Sequence, residues 1–347
     1  MKNFFYIIAI SIFVSSCSDT EKIFKGELIT VKKPTTDKLA GEKLVLNGLY
    51  AGYPIVFDSI ISFVYPYGDY FVSNFDLNTG KHLGNYFNKG QGPSDFLDFS
   101  ILHFECNHNL WIHEYNKRQF NLVDMSSGMV KKRIDFSDFK KKGNFPFARV
   151  FFLNDSILIA VNMPETKNLN YDIMVPKFRL INYLTKKEIG YDELYDEDVY
   201  NKLRGEGQDT EHLAENYRIK PNKSKVVAVM HCLFQINILD LKTGKWKGFR
   251  IADTPGFNIV SNPIPLPTYS DVSVDDSFIY AMLNNDFEPD VKPIIHVFDW
   301  NGNFVRILEF DQKGTVFDLD NVHKKLYFKD EELEENVWVY DVSYLYQ

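Results

Sequence analysis

The sequence has few cysteines, no long run of basic residues and no apolar run long enough to cross a membrane. Only three cysteines occur in 347 residues, so the disulfide framework that holds many small secreted domains together is not expected. The net charge is −8, and a chain without a basic patch cannot neutralise many phosphates, which excludes nucleic acid as an expected partner. The apolar stretch at residues 4–14 is too short to cross a membrane, because a transmembrane helix needs about 20 apolar residues.

Recognised catalytic and metal-binding motifs are also absent. The chain lacks the GxSxG elbow of hydrolases, the HxH or HExxH spacing of metal sites and the DxDxDG pattern of calcium loops. His103, His108 and His113 are close in sequence, and His231 lies beside Cys232. The strand pattern places the first three on different strands and turns, so we predict no metal site, no catalytic residue and no cofactor.

The N-terminus has the pattern of an export signal. Residues 1–17 contain one lysine, an apolar run and small residues that lead to Cys17, as signal peptides do. Val14-Ser15-Ser16-Cys17 resembles a bacterial lipoprotein box, which implies that Cys17 is acylated and becomes the first residue of the mature chain. The alternative is an ordinary secretory peptide with an incidental cysteine. The expected location is the cell envelope, as a lipoprotein anchored in the outer membrane on its periplasmic or its surface face. Cys106 and Cys232 are expected to be small buried side chains.

A hairpin unit recurs along the chain. Its clearest copy, residues 236–251, is an alternating apolar strand, an Asp-led turn that ends in Thr-Gly-Lys, and a second strand. The turn-leading residues of the copies are Asp76, Asp124, Asn182, Asp240, Asp299 and Asp341, at steps of 48, 58, 58, 59 and 42 residues. Six units of about four strands each, with turn signals every 8–12 residues, are typical of a β-propeller.

The last copy of the unit is incomplete. Only six residues follow Asp341, so the sixth blade lacks an outer strand, and an open sheet edge invites aggregation. We predict that an N-terminal strand within residues 27–31 or 42–46 closes this blade. The expected organisation is a signal peptide at residues 1–17, a membrane tether with a possible closing strand at 18–44, and an all-β, six-bladed propeller with four antiparallel strands per blade at 45–347.

The predicted loops differ in length between the two faces of the propeller. If the strands of a blade are A to D, the A–B and C–D turns lie on one face, here the short-turn rim, and the B–C and D–A connections lie on the other, the long-loop rim. Long D–A loops are residues 88–98, 137–146, 195–212 and 252–267, and long B–C loops are residues 164–170, 284–292 and 329–336. Binding residues concentrate in loops, so any site is expected on the long-loop rim.

The connection after the first blade holds the sharpest local motif, residues 88–96, Asn-Lys-Gly-Gln-Gly-Pro-Ser-Asp-Phe. No Lys-Ser or Lys-Thr follows, so it is not a phosphate-binding loop. One interpretation is structural: the glycines and the proline shape a tight connection, and the phenylalanine fills the gap between two blades. The other is a ligand contact at the channel mouth through Gly90, Gln91, Gly92, Pro93, Asp95 and Phe96.

This segment also carries a resemblance to a known family. Placed after a Thr-Gly-Lys hairpin and a lipoprotein signal, it resembles the TolB-like six-bladed propeller lipoproteins of Bacteroidota, in which it typically runs Gly-x-Gly-Pro-Gly-Glu-Phe. Ser94 and Asp95 replace the usual Gly and Glu. The resemblance covers residues 45–347 in architecture. It implies a fold and an envelope location, and no catalytic residues.

Two other features fall on the predicted long-loop rim. Acidic runs at residues 192–198 and 330–335 are expected to be solvated loops, and they would favour cationic partners. Aromatic residues there either stack on sugars and anchor peptides or pack between blades. They are Tyr191, Tyr195, Tyr200, Phe257, Tyr269 and Phe287.

These observations leave three function classes. The first is a lipid-anchored envelope module that binds or scaffolds a peptide, protein or glycan on the long-loop rim. The second, by analogy with other six-bladed propellers, is a metal-assisted hydrolase or lactonase-like enzyme at the channel mouth. The third is a sensor domain. Converging Asp, Glu and His side chains at the channel mouth would favour catalysis, whereas aromatic residues with scattered polar groups would favour binding.

Overall fold

The computed structural model describes residues 24–48, 50–92, 94–105, 108–136, 147–162, 177–191, 193–196, 198, 215–231, 233–254, 268–284, 292–329 and 336–347. Within these ranges the chain forms 26 β-strands in six sheets, and a 3₁₀ turn at Ser343–Tyr346 near its C-terminus. The helices of this part of the chain include none that is long and apolar enough to cross a membrane.

Each sheet is one blade, in which four strands pair with their neighbours in antiparallel orientation. Three short strands precede the first blade in the chain. The N-terminal strands are β1 (Glu27–Val31), β2 (Thr36–Leu39) and β3 (Glu42–Leu44). Blade 1 contains β4 (Tyr53–Phe57), β5 (Ile60–Val64), β6 (Tyr70–Asp76) and β7 (His82–Asn88). Blade 2 contains β8 (Ser100–Phe104), β9 (Asn109–Glu114), β10 (Gln119–Asp124) and β11 (Met129–Asp135). Blade 3 contains β12 (Phe147–Phe152), β13 (Ile157–Asn162), β14 (Lys177–Asn182) and β15 (Lys187–Gly190).

The second half of the ring repeats this arrangement. Blade 4 contains β16 (Glu215–Ile219), β17 (Lys225–Met230), β18 (Gln235–Asp240) and β19 (Lys245–Ile251). Blade 5 contains β20 (Thr268–Val274), β21 (Phe278–Asn284), β22 (Ile294–Asp299) and β23 (Phe304–Phe310). Blade 6 contains β24 (Val316–Asp320), β25 (Lys325–Lys329), β26 (Val337–Asp341) and the N-terminal strand β3. The predicted fold, six four-stranded blades, is confirmed.

The N-terminal strands run along the outside of the second half of the ring. β3 pairs antiparallel with β26 and supplies the missing fourth strand of blade 6, as the sequence predicted. β1 and β2 instead add a fifth, parallel strand to blades 4 and 5. Residues 24–44, which the sequence assigned to a tether with a possible closing strand, are therefore part of the propeller sheets. Residues 18–23 lie outside the described residues.

Apolar side chains fill the six joints between adjacent blades. Six buried clusters occur in the described chain, one for each joint, and each combines residues of two neighbouring blades. Phe and Tyr contribute to every cluster, because their large rings fill the wedge between twisted sheets and stack at favourable angles. At the joint of blades 6 and 1, for example, Tyr50 stacks on Phe63 with ring centroids 4.7 Å apart.

The Asp-led turns of the repeat are structural. Each turn-leading side chain accepts a hydrogen bond from a backbone N–H two to four residues later, which stabilises the turn. The donors are Thr79 for Asp76, Ser127 for Asp124, Thr185 for Asn182, Thr243 for Asp240, Asn303 for Asp299 and Ser343 for Asp341. The recurrent motif therefore marks the blades.

Side chains on the short-turn rim link one blade to the next. At several joints a lysine ammonium group reaches a carboxylate or a backbone carbonyl of the following or preceding blade. These contacts include Lys132 with Asp155 at 2.9 Å, Lys225 with the carbonyl of Trp300 at 2.6 Å and Lys324 with Asp275 at 2.9 Å. These contacts help to hold neighbouring blades together on this rim.

Candidate functional site

The connection between blades 1 and 2 is a closely packed element. The Asp95 carboxylate accepts the N–H of Gly92 at 3.0 Å. A Cβ atom added to Gly90 or to Gly92 would lie 2.5 Å from the same carboxylate. A side chain at either position would have to displace this carboxylate, because the loop folds tightly around it. Gln91 is exposed, and Pro93 lies outside the described residues.

Phe96 anchors the same connection in the joint between blades 1 and 2. Its ring is 1% exposed and contacts the rings of Phe87 and Phe99 at centroid distances of 5.5 and 5.7 Å. The Lys117 ammonium donates to the carbonyl of Asp95 at 2.6 Å and lies 5.9 Å from the Phe96 ring centroid. These contacts account for Gly90, Gly92, Asp95 and Phe96 as parts of the scaffold. A ligand contact by the exposed Gln91 stays a prediction.

Exposed tyrosines gather on the long-loop rim of blade 1. Tyr53, Tyr65, Tyr67 and Tyr70, here the tyrosine cluster, are 42%, 39%, 80% and 43% exposed. Tyr53 begins the inner strand, and the other three lie in or beside the B–C turn. The Tyr65 and Tyr67 rings meet edge to face at 5.6 Å. Exposed aromatic side chains collected on one face of a soluble protein mark a binding surface, because their burial contributes much of the affinity in recognition.

A cavity of about 210 Å³ opens within this surface. Tyr65 and Tyr70 belong to its lining, together with the well-buried rings of Tyr50, Phe63 and Phe71. Because the buried rings are fixed by the packing of blade 1 against its neighbours, the cavity is already formed in the free protein.

Polar groups also line the cavity. They include Asp69, Ser73 and Asn85. The Ser73 hydroxyl donates to Oδ1 of Asn85 at 2.7 Å. This hydrogen bond orients the amide so that its NH₂ group is directed away from the hydroxyl that Oδ1 accepts. The cavity thus combines aromatic faces with one carboxylate and one oriented amide.

A second polar site lies in the central channel, among the inner strands. Arg149 of blade 3, Arg218 of blade 4, Asp271 of blade 5 and Asp318 of blade 6 follow one another in blade order. A β-bulge in β12 immediately precedes Arg149, and one in β20 immediately precedes Asp271. Bulges re-aim side chains. The guanidinium of Arg218 pairs with Asp271 at 3.2 Å, and that of Arg149 donates to the carbonyl of Ile101 at 2.9 Å.

Asp318 joins three blades at the closure of the ring. Its carboxylate accepts the N–H of Val56 in blade 1 at 2.8 Å and the hydroxyl of Ser273 in blade 5 at 3.3 Å. Burial raises the pKa of Asp318 to about 7, and the hydrogen bonds from backbone N–H groups only partly oppose this shift. The charged form of the carboxylate is therefore costly at neutral pH.

We expect the substitution Asp318→Asn to stabilise the protein at alkaline pH. Because the folded-state pKa lies above the unfolded value of about 3.9, the contribution of Asp318 to stability is full below about pH 4 and is lost as the pH rises through 7. Asparagine keeps an acceptor for the Val56 amide and removes the charge. Thermal melts should show a gain on the order of 1–2 kcal/mol at pH 8 and little at pH 5.

The exposed carboxylate of Asp253 provides the control, since Asp253→Asn removes the same charge at a position of positive φ that asparagine tolerates. A difference between Asp318→Asn and the unmodified chain that stays constant from pH 5 to pH 8 would contradict the assignment.

The histidines take structural positions in separate surroundings. His103 is buried, its Nε2 accepts the N–H of Phe152 at 3.3 Å, and burial lowers its pKa. His108 contacts Asp58 at 3.1 Å, and burial lowers the pKa of His113 to about 4. His231 lies on blade 4, where its carbonyl accepts the N–H of Tyr269. Among the described residues, no three or more His, Cys, Asp or Glu side chains come together in a group that could hold a metal ion.

Several residues singled out in the sequence lie outside the described residues. They are Cys17, Cys106, Cys232, Tyr200, Phe257, Phe287, residues 137–146, 330–335 and most of the other long loops. Among the loop aromatics that are described, Tyr195 and Tyr269 are fully buried. In the acidic run at 192–198, Glu193 pairs with Lys25 at 3.0 Å.

The tyrosine cluster was not predicted from the sequence, because residues 60–65 and 69–76 have the pattern of strands and only residues 66–68 remain between them as a turn. Three tyrosines within the six residues 65–70, in and beside this turn, are a usable signal. Turns on a solvated surface are normally built from Gly, Pro, Asn, Asp and Ser, so aromatic rings there need another reason.

Comparisons with known proteins agree on the fold. The sequence profile of a family described as TolB-like 6-blade propeller-like matches residues 35–325. A solved structure of a DUF4221 family member from Bacteroides vulgatus is similar at a TM-score of 0.57 and 12% identity, covering 88% of this chain and 96% of the other. A putative exported protein from Bacteroides fragilis is similar at a TM-score of 0.54 and 11% identity, covering 90% and 98%. No similar sequence was found among curated proteins.

Proposed function

The chain belongs to the TolB-like six-bladed propeller family, and we propose that it is a binding module of the cell envelope whose ligand docks on the tyrosine cluster. The ligand class is a peptide, a protein or a glycan. Cys17 is the proposed lipid attachment site, with residues 18–23 as the tether to the first described strand. The description of the Bacteroides fragilis protein as exported agrees with an envelope location.

The observation that carries this proposal is the position of the exposed aromatic residues. Seven aromatic side chains of the described chain are classed as exposed, and five of them lie on the long-loop rim of blades 1 and 2, namely Tyr53, Tyr65, Tyr67, Tyr70 and Tyr115. Tyrosine brings a large contact area and a hydroxyl group at little cost in conformational entropy. Its concentration on the rim that holds the irregular loops supports recognition at that rim.

The side chains of the channel favour binding over the metal-assisted alternative. The channel residues described above are two arginines and two aspartates, and the central pair, Arg218 and Asp271, neutralise each other. Metal-assisted hydrolysis needs several carboxylate or imidazole ligands that converge on an open coordination site. The tyrosine cluster instead combines aromatic residues with scattered polar groups, the arrangement expected of a binding surface.

We expect the double substitution Tyr65→Ala/Tyr70→Ala to reduce ligand capture at least tenfold, because it removes two of the exposed rings that form the surface. The soluble chain, residues 18–347, would be immobilised and exposed to a detergent extract of envelopes, and the retained material would be quantified. Phe104→Ala is the matched control, since it removes an exposed aromatic residue from the short-turn rim. Equal retention by the double variant and the control would contradict the proposal.

A further inference from the structure

We infer that the ligand is a carbohydrate and that one of its sugar rings occupies the cavity of blade 1. This inference rests on the proposed binding function and narrows its ligand class. It is drawn from the size of the cavity, the arrangement of its aromatic and polar groups, and the pairing of the strands that surround it.

The volume of the cavity limits what enters it. At about 210 Å³, it is smaller than the roughly 300–1,000 Å³ of pockets that enclose a whole drug-sized ligand. It therefore accepts one ring-sized group of a larger ligand, and the rest of that ligand extends over the exposed rings of the tyrosine cluster. A glycan chain has this form, since each of its units is one ring and its chain continues outside the cavity.

The aromatic rings suit the faces of a sugar ring. A pyranose has C–H groups on its faces and hydroxyl groups around its edge, and tyrosine likewise combines an apolar face with a polar tip. Tyr65 and Tyr70 are each about three-fifths buried, so their rings are held in place but still present surface to the cavity.

The polar groups suit the hydroxyl edge. Each sugar hydroxyl both donates and accepts a hydrogen bond, and neighbouring hydroxyls form pairs that a carboxylate and an amide can bind together. The Asp69 carboxylate supplies acceptors. The Asn85 amide supplies donors, because its Oδ1 already accepts the hydroxyl of Ser73. The carboxylate can accept a hydrogen bond from one hydroxyl of a sugar diol while the amide donates to the neighbouring hydroxyl.

The central strand of the cavity offers no free edge to an extended peptide, whereas the outer strand β7, which contributes Asn85, pairs with β6 alone among the described strands. Peptides commonly bind by adding a strand to a free sheet edge. The cavity is built on β6, which is hydrogen-bonded to β5 on one side and to β7 on the other. The backbone of β6 is therefore fully used, and recognition at this strand depends on side chains.

The test uses the immobilised soluble chain, residues 18–347, with envelope extract divided into two treated portions. Sodium periodate cleaves the vicinal diols of sugars, and proteinase K digests proteins. We expect periodate to lower retention at least tenfold and proteinase K to leave it unchanged. A printed panel of neutral oligosaccharides, probed with the same chain, should give binding that Asn85→Ala lowers at least tenfold and that Tyr65→Phe retains, because the ring is kept.

The outcomes separate the two claims. Retention that survives periodate, is lost with proteinase K and still depends on Tyr65 and Tyr70 would overturn the carbohydrate inference and leave the proposed binding function intact. Retention that is independent of these tyrosines, or no retention from either portion, would overturn both. Binding on the panel that Asn85→Ala leaves unchanged would overturn the assignment of the sugar ring to this cavity.

Discussion

A chain that begins at Val45 is expected to aggregate, or to melt about 7 °C below a chain that begins at Phe24. The longer chain keeps all three N-terminal strands, and the shorter one loses them. Six apolar residues that pack against the blade joints are removed, namely Phe24, Leu28, Ile29, Val31, Leu39 and Leu44. At roughly 1 kcal/mol for each partly buried side chain, the loss is on the order of 5 kcal/mol, a large share of the stability of a typical domain.

Closure of the ring adds a second cost. β3 pairs with β26 through Leu44, Lys43 and Glu42. Without it, β26 becomes an open edge of blade 6 that carries Val337 and Trp338, and such edges associate between molecules. Solubility should therefore fall together with the melting temperature.

A chain that begins at Gly41 separates the two effects. It loses β1 and β2 but keeps β3, and it differs from the shortest chain by only four residues. We expect it to be less stable than the chain that begins at Phe24 but soluble and monomeric in size-exclusion chromatography. If the chain that begins at Val45 melts at the same temperature as the chain that begins at Phe24, the N-terminal strands do not close the propeller.

The second large effect is expected from Gly302→Ala, which should lower the free energy of unfolding by about 3 kcal/mol. Gly302 lies in the C–D turn of blade 5 at a φ of +85°, and an added Cβ would approach the ring of Phe249 in blade 4 to 2.1 Å. A non-glycine residue costs about 1–2 kcal/mol in this left-handed region. The remainder arises because Phe249, which is 4% exposed, must shift within the joint of blades 4 and 5.

Gly244→Ala isolates the two contributions. Gly244 occupies the equivalent turn of blade 4 at a φ of +72°, but its added Cβ would come no closer than 3.4 Å to the ring of Tyr191. It should therefore pay only the backbone cost, and its urea midpoint should lie clearly above that of Gly302→Ala. Equal loss of stability in both variants would show that the turn of blade 5 does not press against blade 4.

The architecture was predictable because the repeated turns are stabilised by hydrogen bonds between residues that are close in the sequence. Asp76, Asp240 and the equivalent residues close turns through their own backbone neighbours, so their spacing counts the blades without knowledge of any distant contact. The closing strand was predictable because too few residues follow Asp341 to form the fourth strand of blade 6.

What the sequence could not give was the outcome of long-range pairing. Residues 27–31 and 42–44 both look like short strands with mixed polarity, and only the folded ring shows that the first joins blade 4 and the second closes blade 6. The cavity of blade 1 depends in the same way on Tyr50, which meets Phe63 only after the chain has folded. Tyrosine side chains are found both on protein surfaces and in protein cores, so their sequence positions alone do not show which of them are exposed.

The most direct test of the central claim, that the tyrosine cluster of blade 1 is the binding surface, is hydrogen–deuterium exchange of the soluble chain with and without the ligand eluted from the immobilised protein. The claim predicts slower exchange in residues 65–73, which include the B–C turn and the start of β6, and no change in the C–D turns around Gly244 and Gly302. Slower exchange confined to the short-turn rim, with residues 65–73 unaffected, would contradict it.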